Sequence, residues 1–522
     1  MKLGYQIDCS RGAAPKVETI KKIIDLLSAF KYDYLILYIE DMYQIDSEPY
    51  FGALRGRYSH EEIKELDKYA KSKNIELIAG IQTLAHLERL LNHFGFTKYF
   101  DIDNILLAND NETYNFIEKM IASISSDFSS RKIHIGMDEA HNLGRGKYLD
   151  KFGYENPGKI LENHLNNVAK ICDKYGYEKI YIWGDMSQKE NFEKINYPKN
   201  VESMLWYYHP QGKEKLYAQI KEFKKRATEK IAYAGSATKY IGFAPANSFS
   251  FVSIEEQIKA CKKFGIENYL LTTWGDGCSE CSNLSVIPSI FFASLIAHDK
   301  KLNKETKKQF EEVVELSFKK FMSIDRIINL DPNLDYKGKW NNISFMLLYN
   351  DPLQNCMGSI EDTKYKQYLL DAYKLMKKNQ NNKDFGYIFA TLSQLAKTVS
   401  YKANIGNDIY RKYKNKEDLS DSINDLKSFQ KELKKFISIY EKQWEIENKN
   451  FGFEKVQIRL GGLLERTRYI ISLLERYQNK EIKKIDELEE NHLPSDIYFR
   501  SLEKDFDVVN VYEWIVSGGA LK

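Results

Sequence analysis

Cysteine is scarce in this chain. Six thiols in 522 residues, at positions 9, 172, 261, 278, 281 and 356, are too few and too scattered for a disulfide framework. Cys278-Ser-Glu-Cys281 is the one close pair, and without a second pair it reads as incidental loop thiols rather than a zinc site. Long apolar runs are missing too: no segment reaches the roughly 20 consecutive apolar residues of a membrane helix. The opening Met1-Lys-Leu-Gly-Tyr-Gln-Ile-Asp8 lacks the apolar core of a signal peptide and already reads as a strand, so a cytoplasmic protein under reducing conditions is expected. Neither sign of charge dominates. Seventy-seven Lys and Arg oppose 74 Asp and Glu, interspersed, for a net charge of +3, which excludes a nucleic-acid footprint and a strongly acidic partner. Even Lys431-Glu-Leu-Lys-Lys435 carries its own acid and reads as a solvated face. No internal repeat has a fixed period. A metal-dependent hydrolase would draw on His86, His134, His141 and the Asp138-Glu139 pair. There is, however, no His-x-His in the first strand and no H-E-x-x-H helix, and neither metal nor cofactor is expected.

What is abundant is apolar and aromatic side chains, 43% and 13% of the chain, ample for large cores in more than one domain. Through the first 300 residues apolar runs alternate with helical patterns, the signature of βα units. Eight strand candidates stand at 2–7, 34–39, 76–81, 132–137, 179–183, 201–206, 230–234 and 269–273, enough for a closed (β/α)8 TIM barrel. A ninth apolar run at 105–107 has polar surroundings and is assigned to an irregular excursion before the fourth strand. From about residue 303 strand-like runs nearly vanish. Val313, Val314, Leu316, Phe318, Phe321 and Met322, then Leu426, Phe429, Leu433, Phe436 and Ile437, then Leu460, Leu463, Leu464, Tyr469, Ile470, Leu473 and Leu474 each trace an amphipathic face. The fold class is therefore α/β, with a barrel domain over 1–302 and an α-helical domain over 303–522. The Asn- and Lys-rich tract 377–383 is a solvated connector.

The most informative stretch is Lys132-Ile-His-Ile-Gly-Met-Asp-Glu139, which brings two adjacent carboxylates to the end of an apolar strand. Ile133, Ile135 and Met137 alternate with His134, Gly136 and Asp138 at a strand's period of two. With the second set facing the barrel interior, Gly136 leaves room for a ligand, Asp138 sits at the mouth and Glu139 begins the next loop. An ionised Asp138 is expected to raise the pKa of Glu139 and hold it as an acid, which a glycosidic leaving group requires. The plainer alternative is that Asp138 opens a turn and Glu139 caps a helix. His134-Ile-Gly-Met-Asp138-Glu139, followed by Ala140-His-Asn-Leu-Gly-Arg-Gly146, resembles the active-site motif of glycoside hydrolase family 20, the β-N-acetylhexosaminidases, and its bacterial branch without the usual N-terminal α/β domain. Where the familiar motif has a second glycine this chain has Met137, on the outward parity.

The resemblance covers roughly the first 300 residues and assigns roles at other strand ends. It implies that Arg11, after strand one, binds the 3- and 4-hydroxyls of the sugar, for which the guanidinium fork is suited; an ion pair with Asp8 or Glu40 is the alternative. Glu40 and Asp41, after strand two, support Arg11 or lie in a solvated loop. His86 falls where the family has a histidine after its third strand, either ordering a carboxylate or satisfied within the core. His134 is read as structural, beneath the site. Trp183, Trp206 and Trp274, half of the six tryptophans, each end a strand candidate and resemble the tryptophan-lined pocket that packs on a pyranose and an N-acetyl methyl group. Tyr207 or Tyr208 would bind the acetamido carbonyl oxygen, with Tyr208 preferred because it shares the parity of Trp206. Asp276 and Glu280 are the acids for the 4- and 6-hydroxyls. Trp274-Gly-Asp-Gly-Cys-Ser-Glu280 departs from the tryptophan-x-glutamate pattern, so which acid serves stays open.

The implied activity is exo-acting, retaining hydrolysis of terminal β-linked GlcNAc or GalNAc, assisted by the substrate through an oxazolinium ion, with Glu139 as acid and base and Asp138 stabilising the 2-acetamido group. Terminal N-acetylhexosamine glycans are the expected partner, with no nucleic acid and no membrane. The C-terminal helices pack on the barrel, lengthen one side of the sugar site or form a homodimer interface. Two other readings remain: a barrel glycosidase of another specificity, for example disaccharide-releasing, and a non-catalytic N-acetylhexosamine-binding protein.

Overall fold

Eight parallel strands close on themselves in chain order: β1 (Lys2–Asp8), β2 (Tyr34–Tyr38), β3 (Glu76–Gly80), β4 (Lys132–His134), β5 (Lys179–Trp183), β6 (Val201–Trp206), β7 (Ile231–Ser236) and β8 (Asn268–Thr273). β8 pairs back onto β1, with Leu3 opposite Tyr269. The computed structural model describes residues 1–277, 279–328, 342–356, 358 and 361–491. Each expected strand is present within two residues of its bounds except β4, which stops three residues early. The ninth apolar run forms a two-stranded antiparallel hairpin, Phe100–Ile102 with Ile105–Leu106, outside the barrel sheet.

The strands are buried on both faces, the pattern of a sheet with side chains packed inside and helices outside. At the base of the barrel a Cβ on Gly4 would sit 2.1 Å from the Tyr34 ring, so only glycine lets that ring enter. Helix Val17–Ala29 turns Ile20, Ile23, Ile24 and Leu27 inward, and helix His60–Ser72 opens on a capping box in which Ser59 and Glu62 each accept the other's backbone N–H.

The chain divides into two compact units, and the division departs from a single cut after residue 302. The barrel unit comprises Met1–Thr238, Ser250–Trp274 and Ser289–Asn303; the loops Lys239–Phe249 and Gly275–Pro288 count with the helices that follow Lys304. In that second unit the helices Ser420–Glu447 and Phe453–Gln478 bury Leu426, Phe429, Leu433 and Phe436, and Leu460, Leu463, Ile470 and Leu474, as their periodicity predicts. Val313 and Tyr469, assigned to apolar faces, are exposed. The tract at 377–383 links helices Lys364–Lys377 and Gly386–Ser400. Among the described residues no helix is long and apolar enough to cross a membrane.

Candidate active site

The segment after β4 keeps its ladder but loses its strand geometry. Ile135 N–H still donates to Tyr181 O (2.9 Å) and Trp183 N–H to Gly136 O (3.0 Å). Gly136 (φ 74°), Met137 (φ 72°) and Glu139 (φ 52°) are nevertheless left-handed, so the alternation expected over 132–138 ends at Ile135. The turn separates the two acids: the Asp138 side chain is 12% exposed and that of Glu139 is 45% exposed.

Asp138 is held from two sides. Gln82 Nε2 donates to its Oδ1 at 2.7 Å, and His86 Nε2 stands 3.2 Å from its Oδ2 and 3.5 Å from Glu139 Oε2. Burial works against the Asp138 charge, yet His86 and Gln82 outweigh it and hold the carboxyl below its ordinary range. Burial likewise opposes a charged His86, but the Asp138 carboxylate prevails and lifts the imidazole to about 9. His86 therefore orders a carboxylate rather than filling the core. Gln82 Oε1 accepts the Met137 N–H at 3.1 Å, and a Cβ on Gly136 would lie 1.9 Å from that oxygen. The room that Gly136 leaves is taken by Gln82, not by a ligand.

The network continues to the first two strand ends. Gln82 Nε2 also donates to the Tyr38 hydroxyl (2.7 Å), and Tyr38 donates to Glu40 (3.1 Å). Arg11 pairs with Glu40 at 3.3 Å and lies over the Trp274 ring at 5.7 Å from its centroid. Burial pushes Glu40 up to about 7 against the pull of Arg11. Asp41 pairs instead with Arg55. Arg11 thus has a carboxylate behind it and remains a quarter exposed.

Aromatic rings line the same end of the barrel. Trp183 and Trp274 meet at 5.7 Å between centroids, Trp206 and Tyr208 stack at 5.3 Å, and Tyr208 lies 6.5 Å from Trp274. Tyr38 meets Trp274 edge-on. Tyr207 is turned against His209, so Tyr208 is the tyrosine that joins the tryptophans. His134 packs against Trp183 at 4.3 Å, its Nδ1 accepts the Gly136 N–H, and burial lowers it to about 3, a neutral imidazole under the site.

Two residues with prominent contacts carry no signal of their own in the sequence. Gln82 stands in the loop whose conspicuous residue is His86. Asp185 follows the more conspicuous Trp183-Gly184, yet its Oδ2 accepts the Glu139 N–H (3.0 Å) and its Oδ1 lies 3.5 Å from the Trp206 indole nitrogen. Burial and then the Asp138 charge push Asp185 up to about 6.

The remaining residues singled out in the sequence have surroundings of their own. Asp276 is exposed on the loop that counts with the helical unit. Glu280 on the same loop is fully buried; its Oε1 accepts from Arg459 and Tyr349, both at 2.9 Å, while Oε2 has no hydrogen-bond partner among the described residues. His141 is paired with Lys189, and among the described residues no group of three or more His, Cys, Asp or Glu is arranged to hold a metal ion. Cys281 is a buried free thiol, and Cys278 lies outside the described residues.

The model of the glycosyl hydrolase family 20 catalytic domain matches residues 3–221, and that of the Glycoside Hydrolase 20C C-terminal domain matches residues 319–504. Hexosaminidase D of Homo sapiens is 28% identical over 214 residues, 38% of this chain and 43% of that protein; its Bos taurus counterpart is also 28% identical, over 38% of this chain and 60% of its own. The chain thus spans about half the length of these relatives. The solved β-N-acetylhexosaminidase from Bacteroides fragilis aligns with a TM-score of 0.46 and 20% identity, over 60% of this chain and 69% of its own. With both the barrel and the helical segment matched by models of one family, the chain belongs to glycoside hydrolase family 20.

Proposed function

We propose that this protein is an exo-acting, retaining β-N-acetylhexosaminidase that removes terminal β-linked GlcNAc or GalNAc by substrate-assisted catalysis. The observation that carries the reading is the unequal treatment of two adjacent acids. Asp138 is buried, paired with His86 and kept ionised, whereas Glu139 beside it is open to solvent. An ionised, immobilised carboxylate suits a group that stabilises charge, and an accessible neighbour suits one that moves protons.

In this mechanism Glu139 gives its proton to the glycosidic oxygen as the bond to the anomeric carbon breaks. The carbonyl oxygen of the 2-acetamido group attacks that carbon from the opposite face, forming an oxazolinium ion. Asp138 accepts a hydrogen bond from the N–H of that ion and balances its charge. Tyr208 is proposed to donate to the acetamido oxygen. Water then attacks the anomeric carbon, giving its proton to Glu139, and the acetamide is restored with the β-configuration retained. Arg11, backed by Glu40, would hold the 3- and 4-hydroxyls, and Trp183, Trp206 and Trp274 would pack on the sugar and the acetyl methyl. The two acids need not face each other across the ring, because the nucleophile belongs to the substrate.

The test is release of p-nitrophenol from the β-GlcNAc, β-GalNAc and β-glucose glycosides. The acetamido sugars alone should turn over, and Glu139→Gln should lower kcat/KM by about 10²-fold or more. Turnover of the glucoside at a similar rate, or an unimpaired variant, would overturn the reading.

A further inference from the structure

Three successive strand ends, those of β4, β5 and β6, meet at one side chain. Glu139 follows β4 and Trp206 closes β6. With neighbouring strands about 4.8 Å apart, these flanking ends are separated by roughly 10 Å, a gap that a side chain from β5 between them can span. Asp185, two residues beyond the end of β5, does so: Oδ2 takes the Glu139 amide at 3.0 Å and Oδ1 faces the Trp206 indole N–H at 3.5 Å. Its own turn is fixed. Gln188 N–H donates to Asp185 O, and Ser187 Oγ donates to Gly184 O at 2.7 Å.

The amide it holds belongs to a residue that an L-amino acid does not adopt freely. Glu139 has φ 52°, and such a conformation persists only where the surroundings over-determine it. A carboxylate accepting the amide N–H is a strong local restraint. We propose that Asp185 is a positioning residue for proton transfer: by holding the Glu139 backbone and the Trp206 indole together, it fixes the acid carboxyl relative to the aromatic wall against which the sugar packs. Asp185 touches neither the glycosidic oxygen nor the anomeric carbon. The inference rests on the hexosaminidase reading of Glu139, and Asp185 matters in it through geometry at the step where the leaving group takes a proton.

That step has a signature which a general loss of structure lacks. A 2,4-dinitrophenolate leaves without a proton, whereas phenolate leaves poorly unless an acid protonates it. The measurement is kcat/KM for the 2,4-dinitrophenyl and phenyl β-GlcNAc glycosides with wild type, Asp185→Asn and Asp185→Ala. The variants should lose about tenfold or more on the phenyl glycoside and less than about threefold on the dinitrophenyl one, steepening the dependence on leaving-group pKa. Equal losses on both substrates, or no loss on either, would overturn the assignment of Asp185 while leaving the hexosaminidase reading intact. Failure of the wild type to hydrolyse either glycoside would instead overturn that reading, and this inference with it. Asp185→Asn is nearly isosteric and decides the matter if Asp185→Ala does not fold.

Discussion

Replacing His86 by glutamine tests the central electrostatic contact of the site, because its contribution must vanish with pH. In the folded protein His86 is raised to about 9, against about 6.5 for an unperturbed imidazole. The folded state therefore binds more protons than the unfolded state between those values, and stability falls as pH rises through that interval. The contribution is complete below about pH 6.5 and lost above about pH 9. A rise of about 2.5 units at 1.36 kcal/mol each corresponds to about 3 kcal/mol, in line with the cost of breaking a largely buried ion pair. The pair is 15% and 12% exposed on its two sides, so solvent screens it little. For a barrel unit of this size, about 3 kcal/mol is a fall of about 5 °C in melting temperature. Thermal melts of wild type and His86→Gln at pH 6 and pH 10 should differ by about that much at pH 6 and by little at pH 10. A difference of the same size at both pH values would refute a charged His86 and reduce the contact to packing.

Two further substitutions probe features the fold imposes. Gly136→Ala would place a methyl on Gln82 Oε1 and an L-residue at φ 74°; the loss of the Gln82 bonds to Asp138 and Met137 should cost about 2 kcal/mol or more and lower kcat/KM at least about tenfold in the p-nitrophenyl assay. Arg459→Ala strands the buried carboxylate of Glu280 in the helical unit and removes the guanidinium stacked 3.9 Å from the Tyr349 ring centroid. A loss of about 3–5 kcal/mol is expected in denaturant or thermal unfolding, and a variant as stable as wild type would show that the pair contributes nothing.

The barrel was legible because its signal is periodic. Apolar runs such as Tyr34–Tyr38 and Val201–Trp206 have the length of buried strands and recur between helical patterns, and their helices have capping residues such as Ser59 and Glu62. The acid pair and the strand-end tryptophans were legible as a motif. What periodicity could not reach was conformation that breaks it. Alternation predicts β4 as far as Met137, but left-handed residues at Gly136 and Met137 end the strand at His134, so the parity that would set which side chains face inward fails just before the acids. Gln82, Asp185 and the choice between two roles for His86 were hidden for another reason. Each gains its meaning from a residue dozens of positions away, and a lone glutamine or aspartate in a loop carries no local signal. The domain boundary was blurred likewise, since the loops Lys239–Phe249 and Gly275–Pro288 lie inside the barrel segment in sequence but cluster with the later helices.

The departures from local rules at 136–139 share one physical origin. Two adjacent carboxylates on a regular strand would point to opposite faces, one into the packed barrel and one into the helical layer, with no common environment. Bringing both to the barrel mouth requires the backbone to turn within two or three residues. Met137 and Glu139 adopt left-handed conformations to do so, at roughly 1–2 kcal/mol each for a residue with a Cβ. That strain is offset by contacts made in the turned conformation: Gln82 bonded to the Met137 amide and the Asp138 carboxylate, His86 paired with that carboxylate, and Asp185 bonded to the Glu139 amide. The same contacts give the two acids different surroundings, so in the proposed mechanism the device that makes the turn affordable also divides charge stabilisation from proton transfer. A strand that continued in register through Glu139 would be locally more relaxed, but it would leave the acids on opposite faces and the proposed chemistry without its second group.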